Sequence, residues 1–473
     1  MSGNSSTVSN ASWADLLSGA NALRSIALAG GVALHAVNVY IVTTILPSVI
    51  QDIGGLEYYA WNTTLFVVTS IVGSALSAKL IETLGPRAAY LLAVAVFTAG
   101  SIVCALAPSM QVMLAGRSVQ GLGGGILFAL SYALIRLVFD AALWSRAMAL
   151  VSGMWGVATL CGPAIGGVFA QTGHWRLAFW ALLPVAAILA LIVSFKVSGK
   201  PSTQAVSRTR LPLTTLALLV ASVLAISLAS LSKQWGWNLA GIALGLAIAM
   251  LIAKVDSRAT RRLLPSGAYS IGTPLGALYA VMCLTVAAIT TEIFVPYFLQ
   301  VIHGMTPLAA GYMTAAMAAG WTLAALPSST RTGAEANRML RLSPVIILGS
   351  LIGLAIMTPQ AAILGSAAGL TVYVVALAGV GFGIGLAWPH LLTRIFNAAP
   401  AGEETLTSSS ITTVQLYAAA VTAALAGIIT NSAGLADPGG VAGTQQAARW
   451  LFATFAVAPA LALLLLARVT RKG

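Results

Sequence analysis

Charge is what this sequence has least of. Only 7% of its 473 residues are Asp, Glu, Lys or Arg, against about 25% in an ordinary soluble domain. Meanwhile 59% are hydrophobic, and the mean hydropathy is +0.93. A water-soluble fold is excluded. Acids are scarcer than bases, 11 against 24, for a net charge of +13. In a soluble chain that excess would point to nucleic acid. Here the basic residues sit between long apolar runs, where they orient a membrane protein. The four histidines, His35, His174, His303 and His390, are scattered, and no nucleophile lies beside a base, which argues against an enzyme. The three cysteines, Cys104, Cys161 and Cys283, lie inside apolar runs without metal-ligand spacing. No GxxxxGK[ST] loop occurs, so ATP-driven work by this chain alone is not expected. No segment has the length of a soluble ligand-binding or signalling domain, and the polar first twenty residues do not read as a signal peptide.

What the chain has is span after span. A helix crossing a bilayer needs about 20 apolar residues. Fourteen runs qualify: 26–49, 59–82, 88–107, 113–138, 147–170, 177–196, 212–232, 239–254, 273–299, 308–327, 343–361, 367–391, 406–430 and 448–467. The shortest is 239–254, preceded by Trp235 and Trp237 as an interfacial anchor. The runs are continuous rather than alternating, which excludes a barrel. With the N-terminus cytoplasmic, nearly all Lys and Arg fall on that side: Arg24, Lys79, Arg87, Arg136, Arg146, Lys196, Lys200, Arg208, Arg210, Lys254, Arg258, Arg261, Arg262, Arg331, Arg338, Arg341, Arg394, Arg468, Arg471 and Lys472. Only Arg176, Lys233 and Arg449 face the other side, and Arg117 lies within a span. Removing 239–254 from the count would destroy this asymmetry.

The expected architecture is an all-α polytopic membrane protein with both termini inside. Residues 1–25 form a tail, 26–197 a six-helix bundle, 198–266 a linker with two extra helices, and 267–473 a second six-helix bundle. Two bundles of this kind commonly enclose a site near the midplane and rock about it.

Five stretches carry the functional expectation. Ala78-Lys79-Leu80-Ile81-Glu82-Thr83-Leu84-Gly85-Pro86-Arg87 follows the second span. Arg117-Ser118-Val119-Gln120-Gly121 opens a glycine-rich fourth span; an arginine there is costly in lipid and should face the interior. Ala158-Thr159-Leu160-Cys161-Gly162-Pro163-Ala164-Ile165-Gly166-Gly167 puts a bend and close backbone approach in the fifth. Asn38-Val39-Tyr40-Ile41-Val42-Thr43-Thr44-Ile45-Leu46-Pro47 ends the first span. Thr290-Thr291-Glu292-Ile293-Phe294-Val295-Pro296-Tyr297 carries the one acid deep in a span of the second half. An isolated carboxylate at such depth is protonated or paired, which suits a site that loads and releases protons.

The first four of these stretches resemble the major facilitator superfamily, most closely its fourteen-helix drug:proton antiporters, and the likeness covers nearly the whole chain although its motifs lie in the first half. The resemblance implies that Glu82, Gly85 and Arg87 form a gate with Asp140, locking the halves while the site is open outward. Ala78 and Glu82 stand where the family usually has Gly and Asp. It implies that Arg117 takes part in proton movement, and that Gly162, Pro163, Gly166 and Gly167 mark an exporter, forming the interface about which the halves rock. The antiporters carry an aspartate nine residues before the first-span proline; here Asn38 stands there and cannot titrate. His35, one turn earlier on the same face, is a candidate to replace it, although a lone histidine is more often structural. Gln120, Trp321, Trp388, His390, Gln415 and Tyr417, with Asn38, are candidate cavity-lining residues, and packing is an equal reading for those of the second half. The function expected is proton-coupled export of small amphipathic compounds across the cytoplasmic membrane, by a chain working as a monomer among lipids, driven by the proton motive force, with no cofactor, metal or nucleic acid. A dedicated exporter of one metabolite, or a proton-independent facilitator or lipid translocase, stays open beside it.

Overall fold

The computed structural model describes residues 12–197, 212–260 and 262–469. The polar segment 198–210 with Lys200, Arg208 and Arg210, the tail residues 1–11, and Arg261, Arg471 and Lys472 lie outside the described residues. Every regular element described is helical. The first group comprises α1 (Trp13–Leu16), α2 (Gly19–Ile53), α3 (Trp61–Ala105), α4 (Met110–Ala133), α5 (Ile135–Val138), α6 (Trp144–Gln171), α7 (Arg176–Trp180) and α8 (Leu182–Lys196). A hairpin follows, α9 (Leu213–Ala229) and α10 (Trp235–Arg258). The last group begins with α11 (Pro274–Thr290), α12 (Val295–His303), α13 (Pro307–Ser329) and α14 (Gly333–Met357). It ends with α15 (Ala367–Asn397), α16 (Glu404–Ser432), α17 (Gly440–Phe455) and α18 (Val457–Val469).

Eleven helical segments among the described residues are long and apolar enough to cross a membrane. Each of the fourteen expected runs coincides with helix; the eleven segments take 59–82 and 88–107 together and leave out α9 and the less apolar α13. Runs 59–82 and 88–107 are the two arms of α3, two helices that meet at a kink at Gly85, which sits at the non-helical φ 81°, ψ 164°. Only glycine takes that conformation without strain. The α9 helix has 17 residues, somewhat short for a crossing. The α10 helix, expected to be short, is extended at both ends to 24 residues.

The α9–α10 hairpin is not peripheral. Leu216 and Leu219 pack with Ile71 of α3 and Leu416 of α16, and Val223 packs with Val68 and Ala420. It therefore touches both helical groups. Its outgoing end is fastened by Asp256, fully buried, whose carboxylate accepts from the Leu263 and Leu264 N–H groups at 2.7 and 3.0 Å and from the Tyr269 hydroxyl at 3.0 Å.

Within the first group, α3 and α4 approach at backbone distance. A Cβ added at Gly125 would fall 2.1 Å from the Ser70 carbonyl oxygen. Backbone atoms cannot step aside as side chains can, so we expect Gly125→Val to cost about 3 kcal/mol or more and to abolish the monodisperse peak in detergent chromatography. Gly349→Val, at a position with nothing within 4 Å, should leave that peak unchanged.

Candidate functional site

The interior charge of the first group is held by dipoles. Arg117 on α4 is 2% exposed and has no ion-pair partner among the described residues. Its Nε donates to the Asn62 carbonyl at 3.3 Å, one Nη donates to the Gln120 side-chain oxygen, and its Cζ lies 4.1 Å from the Phe66 ring centroid. Gln120 in turn donates to Ser101 Oγ at 2.8 Å, and Ser101 donates to the Phe97 carbonyl at 2.9 Å. Gln120, expected at a cavity wall, is fully buried inside this network. Charge-assisted bonds of this kind are worth more than neutral ones, and they give a buried guanidinium a fixed position.

Phe66 also separates Arg117 from His35. The His35 ring lies 5.2 Å from Phe66, 5.4 Å from Phe128 and 6.2 Å from Trp155, an aromatic box. Its Nδ1 faces Gly124, where a Cβ would lie 2.8 Å away. One turn on, Asn38 is fully buried, and neither its amide oxygen nor its amide nitrogen has a hydrogen-bond partner among the described residues.

Glu292 sits where its helix breaks. Pro296 has no N–H to offer the carbonyl four residues back, which is that of Glu292 itself. The Glu292 carbonyl is instead taken by the Val295 N–H, closing the short 3₁₀ turn Thr291–Phe294 between α11 and α12. The carboxyl group is half-buried and has no hydrogen bond or ion pair among the described residues. Tyr40 of α2 lies within electrostatic range of it. The preceding Thr290 accepts from the Thr422 hydroxyl of α16 at 2.9 Å, which anchors the break.

The two helical groups meet most closely at one end, and α3 and α16 also pack mid-helix through Val68 and Ala420. Tyr59, from the loop before α3, stacks on Phe294 at 4.8 Å and meets Tyr297 edge-on at 5.3 Å. Asn431 of α16 donates to the Glu57 carbonyl at 2.9 Å and to the Ser230 carbonyl at 3.0 Å. The expected rocking motif lies at the same end. A Cβ at Gly162 would fall 2.3 Å from Tyr40 Cβ and one at Gly166 2.9 Å from the Ile41 carbonyl oxygen, so both face α2. A Cβ at Gly167 would fall 2.6 Å from Leu308 Cα, and Gly311 of α13 lies against Thr44 and Pro163. The Tyr312 hydroxyl donates to the Leu160 carbonyl at 3.3 Å.

Toward the opposite end the groups part. Gly153 and Gly156 of α6 have nothing within 4 Å, and Leu323 and Leu326 of α13 are each 70% exposed. The expected gate residues lie at this open end and are not gathered. Lys79 pairs with Glu82 at 3.3 Å, and Arg87 on the far side of the Gly85 turn donates to the Val197 carbonyl at 2.9 Å. Asp140 is exposed, and its side chain has no partner among the described residues.

The remaining expected cavity residues fall in three places. Trp321 and Trp388 meet edge-on at 5.1 Å between α13 and α15. His390 Nε2 lies 2.9 Å from Ser328 Oγ, which itself donates to the Leu386 carbonyl at 2.7 Å; Nε2 is therefore the donor to Ser328, a structural bond. Gln415 is half-buried on α16. The Tyr417 hydroxyl lies 2.9 Å from Ser222 Oγ, so this side chain faces the α9–α10 hairpin rather than the space between the groups. Sequence reasoning did not single out Asn62, Phe66, Ser101, Tyr40 or Tyr59. Asn62 and Ser101 were visible as polar residues inside apolar runs.

The family model described as Major Facilitator Superfamily matches residues 28–423. A probable multidrug-efflux transporter of Mycobacterium tuberculosis is 38% identical over 453 residues, covering 94% of each chain. A multidrug transporter protein of Bacillus subtilis is 26% identical over 66% of this chain and 57% of its own. Among solved structures, a peptide transporter superposes with a TM-score of 0.65 at 13% identity, covering 94% of this chain and 95% of that one. A bacterial homologue of the human lysosomal transporter Spinster, in an inward-facing, unoccupied conformation, gives 0.63 at 13%, covering 96% and 97%. At such identities these two speak for the fold alone.

Proposed function

This chain belongs to the major facilitator superfamily, and on that basis we propose that it exports small amphipathic, drug-like compounds across the cytoplasmic membrane in exchange for protons. Its efflux relatives support the export of drugs. The observation that carries proton exchange is Glu292: an acid without a partner among the described residues, at a helix break, on the wall between the two groups. A buried carboxyl that is neither paired nor hydrogen-bonded can take and release a proton without dismantling a network. Arg117, held against one side of Phe66 with His35 on the same ring, supplies a positive potential inside the first group.

The cycle is alternating access. We read fourteen crossings with both termini inside, as two six-helix bundles and an inserted pair. The open end then carries most Lys and Arg and faces the cytoplasm. The structure is in that reading an inward-open state, in which the Glu82–Arg87–Asp140 gate should be apart. Closing it and separating Tyr59 from Phe294 would turn the site outward. Each entering proton supplies about 2.3 kcal/mol per 100 mV of membrane potential, before any pH term.

The second reading is proton-independent facilitation, favoured by Asn38 where the antiporters carry an acid. The test is an imposed pH gradient, acid inside, on inverted vesicles. We expect gradient-driven accumulation of a lipophilic cationic dye, abolished by a protonophore. Dye equilibration indifferent to the gradient would leave facilitation.

A further inference from the structure

Among the described residues, the end at which the helical groups meet carries three Lys and Arg side chains, and two of them are neutralised. Arg176 pairs with Asp52 and Lys233 with Asp437. Arg449, exposed on α17, has no acidic partner among the described residues. It stands at the mouth of a groove of about 650 Å³ between α14, α17 and α18. One wall is Leu348, Ile352 and Ile356; the floor is Ala453, Ala456 and Ala460. Small residues on one side face branched ones on the other, an apolar lining that suits an alkyl chain. Gln360 shares the mouth; one N–H of its amide bonds the Ile356 carbonyl at 2.8 Å, and the other is free to donate. Trp450, next to Arg449, is 56% exposed, as an indole at the level of the lipid headgroups would be. No carboxylate lines the groove, so the ammonium of a zwitterionic headgroup would find no counter-charge there.

We propose that this groove binds one acidic phospholipid, with its phosphate on Arg449 and Gln360 and an acyl chain along the alanine floor. An unpaired guanidinium offers a phosphate a fork of N–H donors, and the apolar channel behind it selects a lipid over a free anion. The site lies away from Glu292 and does not depend on proton exchange.

The test titrates the full-length, delipidated chain in detergent by native mass spectrometry, with phosphatidylglycerol, phosphatidylcholine or inorganic phosphate. One bound phosphatidylglycerol per chain is expected, with affinity about tenfold lower in Arg449→Gln. Ala453→Leu, which fills the exposed floor without touching the charge, should weaken it similarly. Thermal unfolding of both variants in the absence of lipid should match the wild type. Equal affinity for phosphatidylcholine, displacement by equimolar inorganic phosphate, or wild-type affinity in either variant would overturn the assignment.

Discussion

Glu292→Gln is expected to abolish gradient-driven export while leaving the protein folded. Glutamine has nearly the same volume and can occupy the half-buried position on the Thr291–Phe294 turn. The turn itself is made by backbone: Pro296 denies the Glu292 carbonyl its helical partner and the Val295 N–H takes it, and neither depends on the side chain. The carboxyl holds up no network either, since it has no hydrogen bond or ion pair among the described residues. A change in the thermal unfolding midpoint beyond the scatter between preparations is therefore not expected. What is lost is the exchangeable proton. In inverted vesicles, accumulation of a cationic dye against its gradient should fall at least tenfold, to the level of empty vesicles. Downhill dye exchange should persist, because the route between the groups is intact. Uphill accumulation at the wild-type rate in Glu292→Gln would remove this residue from coupling and turn attention to His35 inside its aromatic box. Loss of both uphill and downhill movement would mean that the side chain binds substrate rather than carrying the proton.

Much of this site was legible before any coordinates, and what was not has a physical cause. Arg117 stands out in sequence because a charge amid glycines and aliphatics has to be explained. Its partners do not, because they come from both arms of α3: the Asn62 carbonyl, the Phe66 ring face, and Ser101 through Gln120. Backbone carbonyls and ring faces leave no sequence signature of their availability. Gln120 and Tyr417 illustrate one difficulty. Each is a polar group in a span, and periodicity cannot say whether it turns to a cavity, to a neighbouring charge, or to a helix inserted from elsewhere. The helix break at Glu292 was implicit in Pro296, four residues on, because the missing N–H names the carbonyl it abandons. The count of spans shows the converse. Hydropathy separates 59–82 from 88–107, and the backbone breaks between them at one residue, Gly85, whose φ 81° and ψ 164° end one helix and start the next. Which end of the bundle is shut has no sequence signature at all, since both states must be built from the same residues.

That shut end leads to the second large effect. A disulfide between Thr44→Cys on α2 and Gly311→Cys on α13 is expected to stop transport completely and reversibly. A Cβ at position 311 would lie 2.8 Å from Thr44 Cγ2 and 3.0 Å from its Oγ1, so the two sulfurs can meet with little movement of either helix. The bond would join the helical groups where they already touch, beside Pro163 and the Gly167–Leu308 contact. Alternating access requires this contact to open when the far end closes. A covalent link therefore freezes the state rather than distorting it. Cys161, which is exposed, is replaced by serine in the background to prevent mispairing, and that change alone should leave transport intact. Under oxidation, export by the double variant should drop to background and return on adding reductant. Each single variant should transport in both conditions. The oxidised protein should still bind a cationic dye added from the open end, because the groups remain parted there around the exposed halves of α6 and α13. Full export with the disulfide demonstrably formed would mean that the groups do not separate at this contact, and the two-state cycle would fail with it. Loss of dye binding together with transport would place the entrance at the wrong end.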